Sequence, residues 1–387
     1  MSVEVKRLSI LVSAMLCGLT ASQSWAADTV CSLVTSSNAT TVTSGTSLPD
    51  ANLVTTVIVA SNFYAPAIEV VQSFLNSSAT YASKKIGVCH NATGHIMSEI
   101  TGGGTINGTT YSSHPTSTGE WLSSNINYKY GLFLAANSKA PQDLVYSDTY
   151  NSTNYTIGSA ALYANGIPTL YLDPNEKSVG GYDAYDMVKS AGASPTYYAE
   201  GYYYGDVTKP TGKVVLNYTS YLSPIAIGHP TSAPYGAAAK VVLEAMNQWQ
   251  TSTSMGTSIS GTCTSTASGS IPAICHYDNI DLTLEAIDDT TNNIKAGFVS
   301  AAQLYSAYGA NISNAEFVTF PGFSIEQWGV LLETDATNGT SNSSETAALA
   351  LWNFMDVATP DDATNDFYDE TGSTWNEWLV AHGYGEI

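Results

Sequence analysis

The chain has 387 residues, enough for two or three domains with a sizeable core, and 12% of them are charged against 44% hydrophobic. Its formal net charge of −21 argues against a nucleic-acid partner, because counterion release needs clustered lysine and arginine and the chain has 12 of these in all. A small anionic ligand is still allowed, since salt screens surface charge beyond about 8 Å.

Residues 1–26 carry the parts of a secretory signal: Lys6 and Arg7, the apolar run Leu8 to Leu19, and small Ala26 before Ala27. That run is too short to span a bilayer comfortably, and no later stretch is long and apolar enough, so no membrane insertion is expected. The chain is expected in a periplasm or outside the cell. Export leaves Cys31, Cys89, Cys263 and Cys275, an even count that suits disulfides in an oxidising compartment. Four cysteines allow about three pairings. Cys263 with Cys275 closes a short loop, and Cys31 with Cys89 follows by elimination. The spacing does not resemble a zinc site.

After the signal, residues 27–52 are rich in Ser and Thr and lack periodicity, which reads as a mobile leader or an edge-covering strand. Leu53 to Ala60 (LVTTVIVA) predicts a buried strand, and Ser61-Asn62-Phe63-Tyr64 turns into a helix with Ala67, Val70, Val71 and Phe74 on one face. Lys85 to Cys89 predicts a second strand. It leads through His90-Asn91-Ala92-Thr93-Gly94 into a helix carrying Ile96 and Ile100. Thr101 to Asn127 reads as a long loop, Leu132 to Ala135 as a strand and Ala140 to Val145 as a short helix. Tyr155 to Tyr163 and Pro168 to Leu172 predict strands that cross between lobes. The Tyr-rich stretch 174–213 reads as an irregular insertion, either a carbohydrate- or partner-binding surface or a cover for its own lobe.

Pro224 to Met246 (PIAIGHPTSAPYGAAAKVVLEAM) is the most informative stretch. It predicts a short strand, a polar loop and a helix beginning near Tyr235, with Pro234 at its first position or just before it and Ala239, Val242, Leu243 and Met246 on one face. Helix starts leave backbone N–H groups unpaired and carry partial positive charge, so they hold anions. No Lys or Arg lies between Pro224 and Ala239, so an anion here would meet neutral donors. Another helix is predicted from Asn279, with Ile280, Thr283, Leu284 and Ile287 on one face. Gly297 to Ser300 and Trp328 to Leu332 read as strands, and capping-box signatures at Asn342 to Glu345 and Thr374 to Glu377 open two C-terminal helices. Repeated strand–turn–helix units suit an open α/β sheet that binds ligands beyond its strand ends.

These stretches, together with YGLFLAANSKAPQDLV, YTIGSAALY, DNIDLTLEAI, KAGFVSAAQL and WLVAHGYG, resemble the periplasmic molybdate/tungstate-binding proteins of ABC importers. The matches follow family order over most of residues 53–387. The resemblance implies an α/β, two-lobed type II (flytrap) binding-protein fold with long insertions, residues 53–160 and 313–387 forming one lobe and 161–312 the other. It implies no cofactor, a molybdate or tungstate oxyanion as ligand, and an importer membrane subunit as partner. Carried over by position, the ligand contacts would be Ser61, Asn62 and Thr93, with backbone donors at Tyr235 and Ile280. Three positions depart from the pattern: Ser300 stands where some members have a binding tyrosine, and Asn137 and Gly131 each replace an aspartate.

Taken singly, Ser61, Thr93 and Tyr235 are ordinary turn and cap residues. His90 and His95 flank the Thr93 turn without the further ligands of a metal site, so no metal is expected. The acidic run Asp361, Asp362, Asp366, Asp369 and Glu370 lacks the spacing of a calcium loop. No nucleophile-elbow, zincin or phosphate-loop motif argues for an enzyme. The second reading is an exported structural or self-assembling surface protein on the same fold, motivated by the low charge and the Ser/Thr/Asn/Tyr-rich insertions.

Overall fold

The computed structural model describes residues 30–42, 52–111, 130–151, 155–172, 188–204, 212–216, 223–251, 254–255, 263–268, 271–289, 291–314, 317–333, 343–355, 357 and 373–387. The expected signal, the acidic run and position 342 of the first capping signature lie outside them.

The first sheet begins with a hairpin, β1 (Val30–Val34) and β2 (Ala39–Val42), laid antiparallel on its edge. The edge-covering alternative is therefore the one residues 30–42 adopt. β3 (Leu53–Ala60) leads through a one-turn 3-10 helix (Ser61–Phe63) into α1 (Tyr64–Ser77), and β4 (Lys85–Asn91) into α2 (Thr93–Thr101). Gly102, in the left-handed region at φ 74°, ends α2. Inside the expected long loop a small hairpin forms, β5 (Gly104–Ile106) and β6 (Thr109–Tyr111). It is pinned to the next helix because buried Asp143 accepts from the Tyr111 hydroxyl at 2.7 Å and from Asn107 Nδ2 at 3.1 Å. β7 (Tyr130–Leu134), α3 (Lys139–Asn151) and β8 (Thr156–Gly166) complete this pass.

The chain then enters the second sheet with β9 (Pro168–Leu172). β10 (Val188–Ser190), β11 (Ala199–Tyr204) and β12 (Gly212–Leu216) follow, then β13 (Ile225–Gly228), α4 (Pro234–Ala245), β14 (Ser254–Met255), β15 (Ile274–Tyr277) and α5 (Ile280–Asp288). β16 (Ala296–Ser300), α6 (Ala301–Tyr308) and β17 (Phe317–Thr319) close it. β18 (Ile325–Leu332) returns to the first sheet, which α7 (Ser343–Phe354) and α8 (Trp375–Ala381) then cover. Thr374 and Glu377 form the expected capping box at the start of α8.

Strand order is β2-β1-β4-β3-β7-β18-β8 in the first sheet and β10-β12-β11-β17-β9-β16-β13-β15-β14 in the second. The β3, β4 and β7 strands are mutually parallel neighbours, as are β16, β13, β15 and β14. Parallel strands of this kind need cover on both faces. The first sheet has one core under α1, α7 and α8, and another built around Ile58, Phe133, Ile96 and Leu144; the second sheet likewise carries two cores. The crossovers run side by side at Ile167 and between Thr319 and Ile325, with Ile325 opposite Gly166 and Thr319 opposite Thr169.

One reading needs correction. The stretch 174–213 is not irregular throughout: β10, β11 and the start of β12 extend the second sheet through Tyr202, Tyr203 and Tyr204 opposite Thr319, Val318 and Phe317. Its buried apolar anchors Val188 and Ala199 stand far apart in sequence, so no local alternation marked them. Both expected disulfides are present. Cys31 and Cys89 are direct cross-strand partners, 4.0 Å apart at Cα, and Cys263 pairs with Cys275. Gly131 is a packing requirement in the core: a Cβ there would lie 2.5 Å from Thr55 Oγ1 and 2.8 Å from the Ala348 Cβ.

Candidate functional site

The C-terminal ends of β3 and β4 in one lobe face those of β13 and β15 in the other. All five residues singled out from the sequence, Ser61, Asn62, Thr93, Tyr235 and Ile280, are buried where these ends meet. Ala60, Ala136, Tyr235 and Ile280 form one small apolar cluster drawn from both lobes. Close by, the Gly94 N–H donates across the interface to the Ser232 carbonyl at 3.3 Å. A Cβ on Gly94 would come within 3.1 Å of that oxygen, so glycine permits the approach.

The helix starts differ in how they are capped. Asn279 caps α5 by accepting from the Leu282 N–H, and Ser300 and Thr374 form full capping boxes on α6 and α8. Alanine stands at the cap of the Ser61 turn (Ala60), of α2 (Ala92) and of α4 (Ala233), and none of the three receives a side-chain cap bond. Alanine is a poor N-cap, costing about 1 kcal/mol relative to Ser, Thr or Asp. On α4, Pro234 has no N–H, the Ala233 N–H bonds His229 O, and Ala237 reaches back to Ala233 O. The N–H groups of Tyr235 and Gly236 are the ones this helix leaves without an intrahelical acceptor. On α2 the Thr93 hydroxyl accepts from the Ala136 N–H at 3.1 Å, which turns its own proton elsewhere as a donor.

The Tyr235 side chain does something the sequence did not indicate. Its hydroxyl accepts from Gln327 Nε2 at 2.9 Å, Ser300 Oγ at 3.1 Å and Asn62 Nδ2 at 3.4 Å. Burial holds this phenol above its ordinary range, so it stays neutral. It reaches both crossover strands: a Cβ on Gly166 would fall 2.1 Å from the Tyr235 oxygen. Gln327 Oε1 in turn accepts from the Tyr163 hydroxyl at 2.9 Å and from Asn62 Nδ2 at 3.1 Å. Asn62 Oδ1 is buried without a hydrogen-bond partner among the described residues.

A second group missed by sequence reading surrounds His90. Its ring stacks on Tyr64, and its Nδ1 lies 3.2 Å from Ser61 Oγ and 3.0 Å from Asp281 Oδ2 of the opposite lobe. No local pattern could have joined these residues, because only lobe packing brings Asp281 to His90. The positions that depart from the resembled pattern have local roles. Ser300 caps α6 and donates to Tyr235, and Asn137 Oδ1 accepts from the Ala140 N–H at 2.9 Å at the start of α3.

Two α/β lobes joined by paired crossovers, with helix starts lining the face between them, make a two-lobed α/β fold. No family model matches the chain, and no curated protein matches it. Among solved structures, it is similar to the substrate-binding domain of a proposed molybdenum ABC transporter from Clostridium difficile, at 10% identity and TM-score 0.41, covering 87% of this chain and 99% of that one. Iron-bound HitA from Pseudomonas aeruginosa matches at 10% identity and TM-score 0.40, covering 86% of each chain. The sulfate-binding protein SubI from Mycobacterium tuberculosis matches at 10% identity and TM-score 0.37, covering 87% of each.

Proposed function

We propose that this chain is an exported solute-binding protein that captures a tetrahedral oxyanion of the molybdate or tungstate kind for an ABC importer. The observation that carries the reading is the set of three alanine-capped helix starts at the lobe interface, beside the Ser61 and Thr93 hydroxyls. Alanine at these three starts, where α5, α6 and α8 carry side-chain caps, leaves N–H donors such as those of Tyr235 and Gly236 for something else. A buried dianion is costly unless its oxygens are hydrogen-bonded, and neutral donors meet that need while letting the ligand leave when the lobes part. Selection among oxyanions would then follow cavity size more than charge. The two disulfides fit an oxidising, exported setting.

The test is calorimetric titration of the mature chain with molybdate, tungstate, sulfate and phosphate, repeated on Thr93→Ala. Losing one hydrogen bond to a charged ligand should weaken binding roughly 10- to 100-fold. The second reading, self-assembly at a cell surface, is favoured by the exposed Tyr197 and Tyr202 of the Tyr-rich segment. No heat with any of the four anions, together with ordered oligomers by electron microscopy, would establish that reading instead.

A further inference from the structure

We propose that Asp281 and His90 set the direction of the Ser61 hydroxyl, so that lobe closure makes Ser61 a hydrogen-bond donor toward the bound ligand. What the donor meets rests on the oxyanion reading above; where the protons lie does not.

The direction can be followed bond by bond from a group that can only donate. The Ser300 backbone N–H donates to Gln303 Oε1 at 3.1 Å, which fixes the amide so that Nε2 faces Asp281. Gln303 Nε2 donates to Asp281 Oδ1 at 2.7 Å, leaving Oδ2 directed at His90. A carboxylate accepts only, and Oδ2 lies 3.0 Å from His90 Nδ1. A bare Nδ1 would set its lone pair against that oxygen, so Nδ1 carries the ring proton. The same Nδ1 is 3.2 Å from Ser61 Oγ, which must therefore accept. The single Ser61 proton is turned away from the ring and is left for a ligand.

Asp281 belongs to the lobe opposite Ser61 and His90. When the lobes part, the carboxylate leaves and the neutral imidazole can shift its proton to Nε2. Ser61 can then spend its proton on Nδ1. Its donor character is thus a property of the closed state. A nucleophilic Ser–His–Asp relay is a different arrangement, in which serine and aspartate occupy opposite ring nitrogens; here both address one.

The first measurement is the tautomer of His90 in the molybdate-saturated protein, where the lobes are closed, from long-range 1H–15N spectra at about pH 8.5, two units above an ordinary histidine. His90→Phe identifies the signals among the six histidines. In the saturated protein an Nδ1–H tautomer that is lost or mixed in Asp281→Asn is expected; Nε2–H in the saturated wild type would overturn the proposal. The second is molybdate affinity in a cycle of Asp281→Asn and Ser61→Ala. Removing a negative charge beside an anion site should by itself tighten binding. The proposal instead expects Asp281→Asn to weaken it about 3- to 10-fold, and to do so only while Ser61 is present. Tighter or unchanged binding, or equal weakening in the Ser61→Ala background, would overturn it. If the wild type binds none of the four anions, the oxyanion reading fails and the ligand-free tautomer decides the proton placement: Nδ1–H that is lost in Asp281→Asn keeps it, and Nε2–H overturns it.

Discussion

Replacing Ala233 by serine adds one oxygen at the N-cap of α4 and puts stability and binding in opposition. The backbone at Ala233 is extended, with φ −110° and ψ 118°, as an N-cap requires, and the residue is 5% exposed. A serine hydroxyl there can accept from the Tyr235 or Gly236 N–H, which should stabilise the ligand-free protein by about 1 kcal/mol. The same hydroxyl competes with an anion for those donors. Losing one charge-assisted bond costs about 1.5–3 kcal/mol, or roughly 10- to 100-fold in affinity. Urea unfolding and molybdate calorimetry on Ala233→Ser read the two effects separately. Opposite signs are the signature of an open helix start. Stabilisation with unchanged affinity would mean that no anion sits at α4. Destabilisation would mean that the helix start is already satisfied, and the capping argument would fail.

The disulfides should differ in weight. In the chain-entropy model, Cys31–Cys89, which spans 58 positions, is worth about 4 kcal/mol and Cys263–Cys275, which spans 12, about 3 kcal/mol. Cys31→Ser with Cys89→Ser should therefore lower the urea midpoint more than the other double replacement, and the reverse order would refute the loop-length argument. Acid should destabilise the protein through His276, whose pKa is lowered to about 4, first by burial and then by His229. The unfolded chain takes up this proton near the ordinary 6.5 and the folded chain only near 4, so the contribution is complete above about pH 6.5 and lost as pH falls toward 4. With the ring partly exposed, about 1–2 kcal/mol is expected across that window. Unfolding free energies measured between these pH values should flatten in His276→Gln; an unchanged slope would assign the acid sensitivity elsewhere.

Much of this architecture is legible along the chain because its cause is local. LVTTVIVA is a strand with Val57 to Ala60 buried, Pro234 opens α4, and Thr374 with Glu377 opens α8, each through contacts within a few residues. Ser61, Thr93, Tyr235 and Ile280 could be placed at strand-to-helix turns for the same reason. What the sequence alone did not determine depends on residues distant in the chain. The Tyr-rich segment forms strands because β17 and β12 supply the partners for β11. The aspartate missing at Gly131 is explained by the approach of α7, which leaves no room for a Cβ. Tyr235 was legible as a backbone donor, but its hydroxyl reaches Gln327 and Asn62 only because the lobes pack together. The contact between His90 and Asp281 likewise exists only across the lobe interface. Local propensity and capping are written in neighbouring residues; the polarity of a hydrogen-bond network is set by whichever donors and acceptors the tertiary fold brings within about 3 Å.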